Sequence, residues 1–285
     1  MENAIKFEKS KFAQRLKTML RTDFLRMFKS RTFYIILATA LLVPVVMTVM
    51  LVMMDGQVST DPQTGKETVM EGPEYVWESF GTVPVTDPTP APEQTEQDAA
   101  AAMGGEMDVL AMCNINLVFM GVSVFICLFI SDDFRSGYAK NLFTVRAKKG
   151  DYVISKTLAG FVCGTLMLIL YSVGALVSGL IMGLKFDLVG GLTVGNIVFC
   201  ILAKIFLMLV FVAIFTALAV LAKQRSWLSI CLSLGGGMIL FMMIPMITPL
   251  TASVMHVGLC LIGGVLAAVV LGLFSNLILK KTSLV

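Results

Sequence analysis

Charge is scarce in this chain. Asp, Glu, Lys and Arg make up 14% of its 285 residues and 57% are hydrophobic, whereas a typical soluble domain is about 25% charged. That balance excludes a soluble globular domain and a disordered segment alike. Histidine is almost missing. The single His256 leaves no basis for a His/Cys metal centre or a Ser/His/Asp nucleophile, and no HExxH motif is present. Six cysteines (Cys113, Cys127, Cys163, Cys200, Cys231, Cys260) form no CxxC pair and lie inside apolar runs, so they are expected to be buried small hydrophobes. A G-x-x-x-x-G-K-[ST] loop is missing too: the only Gly-Lys pair, Gly65-Lys66, lacks the upstream glycine. The chain is therefore not expected to be an enzyme, to hydrolyse ATP, or to hold a metal or cofactor of its own. N-glycosylation sequons are also absent, which fits a bacterial plasma membrane.

What is present is apolar sequence in long runs. Six are found: Phe33 to Met54, Val109 to Ile130, Leu158 to Leu184, Val194 to Leu221, Trp227 to Ile247 and Val254 to Leu279. Each is long enough to cross a hydrocarbon core of about 30 Å as a helix. Strand-type alternation is absent, which argues against a membrane β-barrel. The expected fold class is an all-α integral membrane protein with six transmembrane helices. Residues 1–32 form a cytoplasmic amphipathic segment and residues 33–285 the six-span domain. That domain includes an outer acidic loop at 55–108 and a cytoplasmic loop at 131–157. Charge placement sets the orientation. Nine Lys/Arg precede Phe33, six lie between Ser131 and Thr157, and Lys223, Arg225, Lys280 and Lys281 complete 19 of the 22 on one side. The positive-inside rule places that side, and both termini, in the cytoplasm. The segment Asp55 to Asp108 carries twelve acidic residues and one basic residue, as expected of an outer loop. No cleavable leader is evident, and the first run reads as a retained signal anchor.

Polar features are few and each has two readings. Lys9 to Arg31 has the periodicity of an amphipathic helix, with Phe12, Leu16, Leu20, Phe24, Met27 and Phe28 on one face. It is expected in the headgroup layer, its basic side toward anionic lipid. Asp23 intrudes on the apolar face. In the outer loop, Gly72 to Gly81 is expected to form a short ordered piece. Val83 to Glu106, rich in Pro, Glu, Gln and Ala, reads as a flexible tether. Lys204, inside the fourth run, either snorkels to the outer headgroups or faces a cavity or ion path. Asn114 and Asn116, near the outer end of the second run, are candidates for hydrogen bonds between helices. Gly235, Gly236 and Gly237, followed by Pro245 and Pro249, point to a kinked fifth helix, either as a gating hinge or for close packing.

The cytoplasmic connection reads SDDFRSGYAKNLFTVRAKKGDYVISKT, 27 residues with six basic groups mixed with aromatic and aliphatic side chains. A simple turn needs only a few residues. Two short helices are expected, one through Tyr138 to Thr144 and one beginning near Gly150 and Asp151. A short amphipathic helix there would suit docking to a soluble partner, its apolar residues filling a groove.

This segment resembles the cytoplasmic loop of ABC-2-type transporter permeases. The resemblance rests on Asp132 or Asp133 near the end of span two, then Gly137, Lys140, Asn141, Leu142, Arg146, Tyr152, Ser155 and Lys156. The N-terminal helix is similar to that family's elbow helix. The resemblance implies that Asp132, Asp133, Phe134, Gly137, Tyr138, Lys140, Asn141, Leu142, Arg146, Tyr152 and Lys156 couple the chain to an ATPase. It implies that Phe12, Leu16, Leu20, Phe24 and Phe28 form the elbow face. The polar and helix-breaking residues read above, Lys204, Asn114, Asn116, Gly236 and Pro245, are the candidate cavity or gate positions. The implied partners are two copies of an ABC ATP-binding subunit, which use ATP and Mg, a second permease subunit, identical or homologous, and membrane lipids. Nucleic acid is not among them. The implied activity is export of amphipathic peptides or hydrophobic antimicrobial compounds. The short connection from Thr248 to Ser253 departs from the family, where re-entrant helices are common. Two other classes compete: a secondary transporter or channel without an ATPase, and a non-transport membrane immunity or scaffold protein. The first would need embedded ionisable groups, of which Lys204 is the main one.

Overall fold

The apolar runs become helices because a backbone in hydrocarbon must satisfy its own N–H and C=O groups. The computed structural model describes residues 12–60, 67–69, 72–81, 114–144, 148–223 and 225–281. Arg146, Cys113, Lys66 and the segment Val83 to Glu106 lie outside these residues, as does the start of the N-terminal helix. The described helices are α1 (Phe12–Lys29), α2 (Arg31–Met54), α3 (Leu117–Arg135), α4 (Tyr138–Thr144), α5 (Lys149–Met182), α6 (Val194–Ala222), α7 (Ser226–Phe241), α8 (Ile244–Ile247) and α9 (Val254–Lys281). A short antiparallel pair, β1 (Val58–Thr60) with β2 (Glu67–Val69), and a 3-10 turn at Val76–Ser79 are the other regular elements among the described residues.

Among the described residues five helices, α2, α3, α5, α6 and α9, are long and apolar enough to cross a membrane, as in a multi-pass membrane protein. The fifth expected span is not one continuous helix. α7 has 16 residues, about 24 Å at 1.5 Å per residue, short of the roughly 30 Å core. The chain breaks at Met242 and Met243 and resumes as α8. Pro245 stands in the first turn of α8, where its missing N–H costs nothing. The three glycines stay inside α7, so the interruption is set by the proline and not by them.

α3 and α6 are central, with 61% and 50% of their most apolar stretches buried, against 17% for α2 and 11% for α9. α9 packs mainly on α6, and α2 mainly on α5. Two glycines permit these pairings. A Cβ on Gly264 of α9 would stand 2.8 Å from the Phe206 carbonyl oxygen of α6, and one on Gly174 of α5 would strike the Leu41 carbonyl oxygen of α2. Small residues let membrane helices approach closely. The outward faces of α2 and α9 are lined with large hydrophobic side chains, among them Ile35, Met53, Ile262 and Leu266, as a lipid-facing surface requires.

At the end of the bundle remote from α1, residues 72–81 are ordered, as the sequence leads one to expect. The Gly72 N–H donates to Asp55 Oδ1 (2.9 Å), the Val76 N–H to the Lys185 carbonyl (3.1 Å), and the Ile115 N–H to the Ser79 carbonyl (2.9 Å). Val76 and Phe80 are buried. The segment thus ties together the ends of α2, α5 and α3. Four cysteines, Cys127, Cys163, Cys200 and Cys260, are buried as expected, but Cys231 is exposed on α7. The lone His256 sits at the start of α9, where its Nδ1 accepts from the Ser253 N–H (3.2 Å).

Candidate functional site

The basic residues gather at one end of the bundle, and there the helices are joined by a buried ionic circuit. Asp23 and Arg26 come from α1, Asp133 from the last turn of α3, and Tyr152, Ser155 and Lys156 from the start of α5. Lys156 Nζ lies 2.7 Å from both Asp23 Oδ1 and Asp133 Oδ2. Ser155 Oγ donates to Asp23 Oδ2 at 2.5 Å, and the Tyr152 hydroxyl to Asp133 Oδ2 at 3.0 Å. Arg26 closes the circuit with an ion pair to Asp133 Oδ1 at 2.6 Å. Asp23, Asp133 and Lys156 are each about 1% exposed or less. Two carboxylates face two cations, so the cluster is neutral, as a buried set must be. Arg15 and Asp151 add an outlying pair at 3.0 Å between α1 and α5.

Aromatic rings enclose the circuit. Lys156 Nζ stands 3.9 Å from the centre of the Phe129 ring, and Arg26 stacks 3.9 Å from that of Tyr138. The second contact carries the circuit into α4. Burial first, then the negative charge of Asp23, push the Tyr138 hydroxyl above its ordinary pKa, so it stays protonated at neutral pH.

α4 itself is reached by a reversal at Gly137, whose φ of +74° lies in the left-handed region that glycine adopts most readily. Ala139 is buried, Phe143 packs edge-on against Tyr152 (5.4 Å between centres), and Leu142 is half-buried against the core. Lys140 and Asn141 face outward. This corrects the expectation that the apolar residues of this helix are offered to a partner: the bundle itself uses them, and the outward face is polar.

The coupling candidates therefore separate. Asp133, Phe134, Tyr152 and Lys156 are internal, Tyr138 bridges, and Asp132, Lys140 and Asn141 are exposed. The elbow face is shifted too. Met19, Asp23 and Met27 are the buried residues of α1, with Leu16, Leu20 and Phe24 half-buried beside them and Phe12 and Phe28 exposed. Part of the apolar stripe is thus packed against the bundle, and part of it is exposed. Asp23 is the residue that the sequence reading passed over as an irregularity. Its position on an apolar face was the available signal, since a carboxylate there needs a buried cation.

A second polar cluster lies at the opposite end. Lys204 is 1% exposed, which overturns the snorkelling alternative. Its Nζ donates to Asn116 Oδ1 at 2.7 Å and to Thr248 Oγ1 at 3.1 Å. Asn114 Oδ1 accepts from the Asn116 N–H at 2.9 Å. Among the described residues no carboxylate pairs with Lys204. The group joins α6, the start of α3 and the residue after α8. Gly236 and Pro245 are not part of it: a Cβ on Gly236 would meet only Leu218, at 3.8 Å. Among the described residues no set of His, Cys, Asp and Glu could hold a metal ion.

No family model, no curated protein and no solved structure matches this chain.

Proposed function

We propose that this chain is the membrane-spanning subunit of an ATP-driven exporter of the ABC-2 type, moving amphipathic peptides or hydrophobic antimicrobial compounds out of a bacterial cell. In this reading α7 and α8 together make the sixth crossing. Both termini and the basic end are cytoplasmic, in keeping with the positive-inside rule. The chain has no phosphate-binding loop, so the energy comes from a separate pair of ATP-binding subunits using ATP and Mg, and a second permease completes the pathway.

The observation that carries the reading is the mechanical linkage at the basic end. α4 has only seven residues, too few to be stable alone, yet its inner face is locked to α5 through Phe143 and Tyr152 and to α1 through Tyr138 and Arg26. A push on its exposed face reaches α1, α3 and α5 together through the ionic circuit. A secondary transporter has no need of such a lever.

The test is purification in mild detergent from the native membrane. A stoichiometric subunit carrying a phosphate-binding loop is expected to accompany the wild-type chain and to be lost from a Lys140→Glu, Asn141→Asp double variant. Both residues are exposed, so folding is unaffected. Recovery of a transport-competent chain with no ATPase would refute the proposal.

A further inference from the structure

The structure holds a cavity of about 230 Å³ at the basic end, between the α1–α2 junction, α3 and the start of α7. Its wall is one stripe of α3. Phe125, Leu128 and Phe129 line it in the apolar part of the helix, and Asp132 and Arg135 line it at the charged end. The hydroxyl residues Ser30, Thr32 and Ser226 stand on the other sides. The cavity therefore runs from apolar to ionic along the direction in which a bilayer runs from acyl chain to headgroup.

Two features of the charges narrow the occupant. Asp132 and Arg135 are three residues apart on one helix, a spacing at which opposite charges commonly pair. Here no ion pair joins them, and among the described residues neither has another ionic partner. Both are exposed and free to meet a ligand. A guanidinium suits a phosphate diester, and a carboxylate with hydroxyls nearby suits a primary ammonium, which donates three hydrogen bonds. A quaternary ammonium has no such donors and needs an open aromatic face. The aromatic residue beside the charges, Phe129, already carries Lys156 at 3.9 Å. The volume is below the roughly 300–1,000 Å³ of sites that enclose a whole drug-sized ligand, and so fits a headgroup whose tails remain in the bilayer.

We infer that this cavity binds the headgroup of a zwitterionic aminophospholipid, its phosphate on Arg135 and its ammonium folded back onto Asp132, nearly one helical turn closer to the apolar stripe. The inference requires that the helices cross a bilayer and does not depend on the exporter reading. The same amine and phosphate occur in soluble glycerophosphoethanolamine; the apolar stripe from Phe125 to Phe129 selects the lipid.

The test is native mass spectrometry of the full chain in detergent with equal amounts of dioleoyl phosphatidylethanolamine, phosphatidylglycerol and phosphatidylcholine. Phosphatidylethanolamine is expected to bind about tenfold or more in preference to the other two, the scale of one charge-assisted hydrogen bond. Asp132→Asn should abolish the preference over phosphatidylglycerol, and Arg135→Gln should weaken all three lipids. Unchanged melting temperatures would show that both variants fold. A preference that survives Asp132→Asn, equal binding of phosphatidylcholine, or displacement of the lipid by equimolar glycerophosphoethanolamine would each overturn the assignment.

Discussion

Lys156→Met is the sharpest test of the ionic circuit. Methionine nearly matches lysine in length and keeps the packing against Phe129, so the change isolates the charge. Lys156 contacts two carboxylates, each at 2.7 Å. At an effective dielectric of about 20, each contact is worth roughly 6 kcal/mol before desolvation is counted. Most of that offsets the removal of three charges from water. The loss on breaking the pair is nevertheless large, because the carboxylates stay buried. Asp133 retains Arg26 and the Tyr152 hydroxyl in direct contact, whereas among the described residues Asp23 retains the Ser155 hydroxyl and the more distant charge of Arg26. Removal of one partner from a buried ionic group costs about 3–5 kcal/mol, and the same figure is expected here. The circuit makes a second demand. Asp23→Asn in the Lys156→Met background removes the stranded charge, so the double variant should recover about 2 kcal/mol relative to Lys156→Met alone. Unfolding in SDS–detergent mixtures, followed by tryptophan fluorescence, measures both. If Lys156→Met costs less than about 1 kcal/mol, or if the two changes are additive, the circuit is not a cooperative unit and cannot serve as the lever.

Lys204→Met should behave in the opposite way. Lys204 is as buried as Lys156 but meets only neutral oxygens among the described residues, so its replacement by an apolar side chain should be neutral or stabilising by about 1 kcal/mol in the same unfolding measurement. Loss of transport at normal stability would then assign Lys204 a role in the pathway. Gly264→Val should destabilise by about 1–3 kcal/mol because its Cβ meets the Phe206 carbonyl, whereas Gly272→Ala, with nothing within 4 Å, should not; thermal unfolding compares the two. Glu78 has a raised pKa, chiefly from burial, although its Oε1 accepts from the N–H groups of Glu74 and Tyr75. A raised carboxyl pKa means that the folded state favours the protonated form, so this stabilisation is full below the unfolded pKa and is lost as pH rises through the folded one. Glu78→Gln should therefore raise the melting temperature at pH 7, and the difference from wild type should shrink as pH falls through the carboxyl range.

The legible part of the fold was what composition controls. Long apolar runs announce membrane helices because only such sequences tolerate lipid, and the basic bias separates the two ends of the bundle. The Tyr138–Thr144 helix was legible from its length and mixed composition. Partner choice among helices was not. Asp23 and Lys156 are 133 positions apart, and nothing local in either segment names the other; only three-dimensional packing of α1 against α5 brings their charges to 2.7 Å. Lys204 was ambiguous for a related reason. A lysine in a long apolar run can reach headgroups or find buried oxygens, and Thr248, which decides the matter, lies beyond the break between α7 and α8. That break, expected from the glycines and the following prolines together, falls at Met242 and Met243 on the proline side, because a proline forbids its own helical hydrogen bond whereas glycine only weakens the helix.

The two polar clusters give the bundle unequal stiffness. At the basic end a neutral ionic circuit fastens α1, α3 and α5, so these helices must move as one body or lose about 3–5 kcal/mol of pairing. At the other end Lys204 joins α6 to α3 and to the Thr248 turn by two hydrogen bonds to neutral groups, whose gain is largely offset by burying an ammonium with no carboxylate partner among the described residues. α7 packs along α3 and α6, but that packing is non-directional, and among the described residues its hydrogen bonds to α3 are the weak thiol contacts of Cys127 with Ser233 Oγ (3.0 Å) and the Ser229 carbonyl (3.5 Å); it ends at a break. The least expensive internal motion is therefore a displacement of α7 and α8 against the α1–α3–α5 body, with Thr248 as the contact that yields. Crosslinking distinguishes this motion from a rigid bundle. On the exporter reading, a cysteine pair across the α3–α7 contact, at Gly237 and Met120, should block transport when bridged, while a pair across α1 and α5 should leave it intact. The reverse pattern would place the moving part at the basic end and remove the basis for treating the circuit as a rigid lever.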